Sequence, residues 1–171
     1  MRGRLPLLAL AAMLPACGAH SSRGSPDEDA GPSFVATLGD FAGFPAWESF
    51  DGGTNAGDML DGGIRTIYLN KPRPLDSRIF PLGTILVKTT QGAQTFAMAK
   101  RGGGFNPLVD DWEWFEIAPN ADGSIRIVWR GQGPPSTFVY GNTVATGCNG
   151  CHFDYLQNDF VADTAVPSSA F

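Results

Sequence analysis

The chain has 171 residues, with 12 basic against 17 acidic side chains and a formal net charge of −5. That length holds one domain with one hydrophobic core, and the acidic balance argues against nucleic acid or an anionic lipid surface as a partner. Glycine and proline number 22 and 13, so helix is expected to be the minority structure.

Arg2 and Arg4 make a positive start, Leu5 to Leu14 is an apolar run broken only by Pro6, and small residues follow, which is the pattern of an export signal. The run is too short to cross a bilayer. Leu14-Pro15-Ala16-Cys17 resembles a bacterial lipoprotein box, so residues 1–16 are expected to be removed and Cys17 lipidated. The protein would then face the periplasm, touching the membrane only through its N-terminal lipid. Cleavage near Ala19, leaving a soluble periplasmic protein, is the alternative. Removing Arg2 and Arg4 with the signal leaves 10 basic and 17 acidic residues, or about −7. Residues 18–33 carry no periodic apolar side chains; a flexible tether is expected over 17–40 and the folded domain over 41–171.

Within that domain a short helix is expected near Ala46 to Phe50. Strand signals follow at Ile64–Leu69, Thr84–Thr89, Thr95–Lys100, Trp112–Ile117 and Ile125–Trp129. Asn70-Lys71-Pro72 stops the first, and Pro119-Asn120-Ala121-Asp122-Gly123 turns the fourth into the fifth. The spacing predicts a mainly β (α+β) single domain, with an antiparallel sheet of about five strands and a few short helices. Residues 131–147 read as a long connection, either a surface excursion or a site wall. A further helix is expected from about Asp154 onward.

Cys148-Asn149-Gly150-Cys151-His152 carries the chemistry. Two cysteines spaced by two residues and followed by histidine form the attachment signature of a covalent haem c. The thiols add across the porphyrin vinyl groups, and the adjacent histidine ligates the iron from its proximal side. With three cysteines and two histidines in the chain, chance is a poor explanation. Three other uses of the same residues compete: a zinc site, a thioredoxin-like redox pair, and a plain Cys148–Cys151 disulfide in a domain without haem. One cysteine for lipid and two for haem would leave no spare thiol. The other histidine, His20, falls in the tether, so bis-histidine ligation within one chain is excluded. The distal side of the iron stays open unless Met98, Met59 or a lysine fills it.

The order of motifs resembles the cytochrome P-460 family, which includes the cytochromes c′-beta. Ile64-Arg65-Thr66-Ile67-Tyr68 comes first, then Phe80-Pro81-Leu82-Gly83-Thr84-Ile85-Leu86-Val87-Lys88, then Met98-Ala99-Lys100-Arg101. Asp111-Trp112-Glu113-Trp114-Phe115, the CxxCH motif and Asn158-Asp159-Phe160-Val161 complete the series, from roughly Phe44 to Val161. The resemblance implies an antiparallel β domain with one five-coordinate haem, often as a homodimer. It implies either oxidation of hydroxylamine, with the haem cross-linked to a lysine that falls on Lys88, or binding of nitric oxide in an apolar distal pocket without that bond. An oxidase would pass its electrons to an external acceptor such as a small cytochrome.

Four further residues are candidates for the site. Lys88 alternates with Thr84 and Leu86, so it either turns inward or keeps its ammonium in water. Arg65 either faces solvent or pairs with a haem propionate or bound ligand. Glu113 and Glu116 are candidate proton acceptors, since oxidising hydroxylamine removes protons as well as electrons. Trp112, Trp114 and Phe115 read as core, and Met98 as packing rather than an axial ligand. Phe41, Phe44 and Phe105 are candidate distal aromatics. The competing function class is a non-catalytic electron-transfer cytochrome or a haem-less structural domain.

Overall fold

The computed structural model describes residues 31–54, 63–72, 77–91, 94–138, 147–162 and 166. The residues of the expected export signal, Cys17, His20, Met59 and positions 139–146 of the long connection lie outside the described residues.

Among the described residues six strands form one antiparallel sheet, each paired with its sequence neighbours. They are β1 (Glu48–Thr54), β2 (Ile64–Leu69), β3 (Ile85–Thr90), β4 (Thr95–Lys100), β5 (Trp112–Pro119) and β6 (Ile125–Gly131). The mainly β expectation is met, and the five expected strands fall where the apolar alternation put them. β1 is an addition. Its sequence, Glu-Ser-Phe-Asp-Gly-Gly-Thr, has one large apolar residue, so no alternation marks it. The expected helix near Ala46 to Phe50 is instead a single 3-10 turn over Phe44–Ala46, ended by entry into β1.

Both faces of the sheet are covered, which explains why β3 and β5 bury consecutive residues, Ile85 to Val87 and Trp112 to Phe115. One face buries Ile85, Val87, Ala97, Ala99, Phe115 and Ile117 under the N-terminal segment. The other buries Ile67, Leu69, Leu86, Met98, Trp114 and Trp129 under the C-terminal segment. Strand period two assigns these sets without exception across β3 and β4. A register shift between Glu116 and Ile117 leaves Val128 extra on β6, and both Val128 and Trp129 then reach the C-terminal face.

The domain starts earlier than position 41. Ala36 and Phe41 are fully buried, and Phe41 meets Phe115 edge-on at 5.1 Å between ring centres. Residues 34–40, expected as tether, form one cover of the sheet because their few apolar side chains are spaced to reach it. Ser33 forms a bridge with Gly102, whose φ is +67°. A Cβ there would lie 2.7 Å from Leu82 Cδ1 and from the Pro32 carbonyl oxygen, so only glycine allows that approach.

No helix among the described residues is long and apolar enough to cross a membrane. The α-helix described, α1, spans Gly147–Phe153 and contains the whole CxxCH motif. Helix was expected only after the motif. It runs through the motif instead, and a 3-10 turn over Leu156–Asn158 follows.

Candidate functional site

In α1 the motif spacing sets Cys148 and His152 four residues apart and Cys151 three from Cys148, so the three side chains leave one side of the helix. Asn149, inside the motif, fastens this helix to β5. Its Oδ1 accepts from Trp114 Nε1 at 2.6 Å and from Asn106 Nδ2 at 3.0 Å, while its Nδ2 donates to Asn106 Oδ1 at 3.0 Å. Asn106 is itself buried and donates to the Trp112 carbonyl at 2.8 Å. No sequence signal announces either asparagine, because they meet each other across 43 residues rather than within a local period.

His152 lies with its ring centre 4.4 Å from that of Trp114. Its Nδ1 is 2.6 Å from the Phe160 carbonyl oxygen. A carbonyl only accepts, so Nδ1 carries the proton and Nε2 keeps its lone pair. Burial pushes the His152 pKa down to about 4, against the pull of the Phe160 carbonyl, and the positive charge of Lys88 adds to the fall. The imidazole is therefore neutral at physiological pH.

Burial also pushes the Cys148 thiol up to about 12, with Cys151 adding and Lys88 opposing. Neither cysteine is joined in a disulfide among the described residues; Cys148 is packed against the core and Cys151 is exposed. A redox-active CxxC pair needs a depressed thiol pKa, and Cys148 has the opposite. No group of three or more His, Cys, Asp or Glu side chains converges as a metal site among the described residues.

The strand face opposite α1 gathers three of the four other candidates. Lys88 on β3 pairs in register with Ile67 on β2 and Phe96 on β4, and Phe96 pairs with Glu116 on β5. Lys88 and Glu116 thus stand in one row, two strand spacings or about 10 Å apart at the backbone. Lys88 Nζ lies 5.5 Å over the Phe96 ring, and Glu116 Oε2 accepts from Trp129 Nε1 at 2.9 Å. Arg65 pairs in register with Thr90, two residues beyond Lys88. The Thr90 hydroxyl is buried and has no hydrogen-bond partner among the described residues.

Glu113 does not join them. It is 1% exposed on the other face, where Arg130 grips it through Nε at 2.7 Å and Nη2 at 2.8 Å, and Arg101 approaches to 3.1 Å. Arg130 also donates to the Ala36 carbonyl, so this cluster ties the N-terminal cover to the sheet. Glu113→Ala is expected to cost about 3 kcal/mol in urea unfolding, since it strands two cations. It should leave any cofactor spectrum unaltered.

The candidate aromatics also divide. Phe41 and Phe44 lie in the N-terminal cover, and Phe115 beneath it; Phe105 lies under the Arg101 guanidinium at 3.9 Å. The aromatic residues facing α1 are others, among them Phe96, Trp114 and Trp129. Met98 is buried in the same cluster, between Leu86 and Trp114 in register.

Cys148, Cys151 and His152 Nε2 are the groups here that could hold a haem, with Lys88, Glu116 and Arg65 on the facing strands. No family model, curated protein or solved structure matches the chain.

Proposed function

We propose that the chain is an exported c-type haem protein of the cytochrome P-460 kind, which binds or oxidises small nitrogen compounds such as nitric oxide or hydroxylamine. The observation that carries this reading is His152: a neutral imidazole inside CxxCH, its Nδ1 committed to the Phe160 carbonyl and its Nε2 left for a metal. Cys148 and Cys151 would supply the two thioether bonds. When bound, the haem supplies an iron that takes a small ligand and accepts electrons from it.

The chain's own residues have separate tasks in this reading. Trp114 and Asn149 orient the motif helix. The ammonium of Lys88 provides a positive field at both Cys148 and His152. Glu116, oriented by Trp129, is the carboxylate on this face suited to accept a proton from a substrate. Arg65 and the buried Thr90 hydroxyl suit a propionate carboxylate, which would satisfy an oxygen that otherwise costs about 1–3 kcal/mol. Electrons would leave to an external acceptor such as a small cytochrome, from a protein held at the membrane by lipid on Cys17. The order of the P-460-like motifs supports the family, and the antiparallel sheet agrees with it.

The test is the absorption spectrum of the full chain exported from a host that attaches c-type haem. A haem chromophore that resists acid–acetone extraction is expected. A chain that yields all its haem to extraction, and shows no free thiol at 148 and 151, would return the motif to a disulfide.

A further inference from the structure

Behind His152 lies an ion cluster, buried at Lys100 and Asp159 and open to water at Asp110, that haem attachment does not use. Lys100, the last residue of β4, is 6% exposed, and its Nζ sits 2.7 Å from Asp159 Oδ1 and 2.6 Å from Asp110 Oδ2. Its charge also lies 5.0 Å from the centre of the Trp112 ring. Asp159 is held from two more directions. Its Oδ2 accepts the Phe80 amide at 2.8 Å, and its carbonyl accepts Trp112 Nε1 at 2.8 Å.

The next residue is Phe160, whose carbonyl receives His152 Nδ1. Asp159 and Phe160 both have left-handed backbones, with φ of +50° and +62°. Two consecutive side-chain-bearing residues in that region are unfavourable and persist only when their surroundings over-determine them. The three anchors on Asp159 add to the turn's own backbone bonds, from Asp159 N–H to the Leu156 carbonyl and from Phe160 N–H to the Tyr155 carbonyl, in supplying that constraint. They turn the chain so that the Phe160 carbonyl points back at the helix.

We propose that the Lys100–Asp159 ion pair is a positioning device that holds the Phe160 carbonyl on His152 and so locks the imidazole as its Nδ1–H tautomer. The consequence at a metal rests on the haem reading; the tautomer itself does not. A firm Nδ1–H···O=C bond makes Nε2 more basic, which strengthens its bond to iron and favours the oxidised state. Loosening the ion pair would weaken both. Lys100 and Asp159 touch no cofactor themselves and act through Phe160.

The full-length wild type is compared with Asp159→Asn, Lys100→Gln and Lys100→Arg. In protein without haem, nitrogen-15 shifts of the His152 ring report the tautomer. In protein with haem, the ferrous iron–histidine stretching band and the midpoint potential report the strength of Nε2. The wild type is expected to carry its proton on Nδ1. Asp159→Asn and Lys100→Gln should lose that preference, lower the stretching band and raise the potential. Lys100→Arg keeps the ion and should restore the wild-type band, even with a lower melting temperature. A wild-type proton on Nε2 would overturn the proposal without any variant. Folded variants with an unchanged tautomer and band, but lower stability, would overturn it too, leaving the pair a structural contact. A wild type that never takes covalent haem would sink the haem reading, while the nitrogen-15 shifts would still decide this one.

Discussion

Serine at both Cys148 and Cys151 is expected to abolish covalent haem, leaving no haem-stained band after denaturing electrophoresis. A hydroxyl is too weak a nucleophile to replace a thiol in addition to a vinyl group, so the loss should be complete rather than graded. The single variants should differ. Cys151 is exposed and Cys148 is packed into the core cluster. Cys151→Ser therefore leaves the packing of α1 unaltered and removes one thioether. Cys148→Ser also places a hydroxyl against apolar neighbours, and is expected to lower stability by about 1–2 kcal/mol as well. His152→Ala is the complementary loss: both thioethers form, but the iron lacks its proximal nitrogen and the ferrous spectrum changes. Haem retained after denaturation by the double serine variant would remove the motif from the function altogether.

The sheet was legible because strand period two survives when both faces are buried: Leu86, Lys88, Phe96 and Met98 share one face, and Val87, Ala97 and Ala99 the other. β1 was not, since Phe50 alone cannot set a period. The motif was legible because CxxCH chemistry depends on local spacing. Its surroundings were not, because the partners come either from far along the chain or from a turn that no periodicity marks. Asn149 meets Asn106, His152 meets the carbonyl of Phe160 on a left-handed turn, and Asp159 meets Lys100 across 59 residues. Glu113 and Glu116 show the limit sharply. Both are strand carboxylates three residues apart, and odd spacing in a strand sends them to opposite faces, one to Arg130 and one towards α1. Composition could not choose between them; a face assignment for β5 could have, through the buried neighbours Trp114 and Phe115.

Lys88→Arg is the variant with the largest expected effect on the proposed reaction. Lys88 is half-buried, with its ammonium 5.5 Å from the centre of the Phe96 ring. A cation–π contact of about 0.5–2 kcal/mol explains that orientation with no cofactor at all. Its place on the CxxCH face is thus compatible with two roles: a charge beside the haem, or a nucleophile bonded to the macrocycle as the P-460 resemblance implies. A unit charge about 10 Å away is worth about 1–2 kcal/mol at an effective dielectric near 20, so the field alone matters. Arginine keeps that field and, with a guanidinium that stays protonated, removes the nucleophilic amine. If the bond exists, the wild type should show a strongly red-shifted ferrous band and an abnormal pyridine haemochrome. Lys88→Arg should return both to the ordinary c-type form and abolish hydroxylamine turnover while nitric oxide still binds. Lys88→Met, which removes field and amine together, should in addition alter the ligand affinity. An ordinary haemochrome from the wild type itself would eliminate the bond and the oxidase that depends on it, and leave the readings of a ligand binder or an electron carrier.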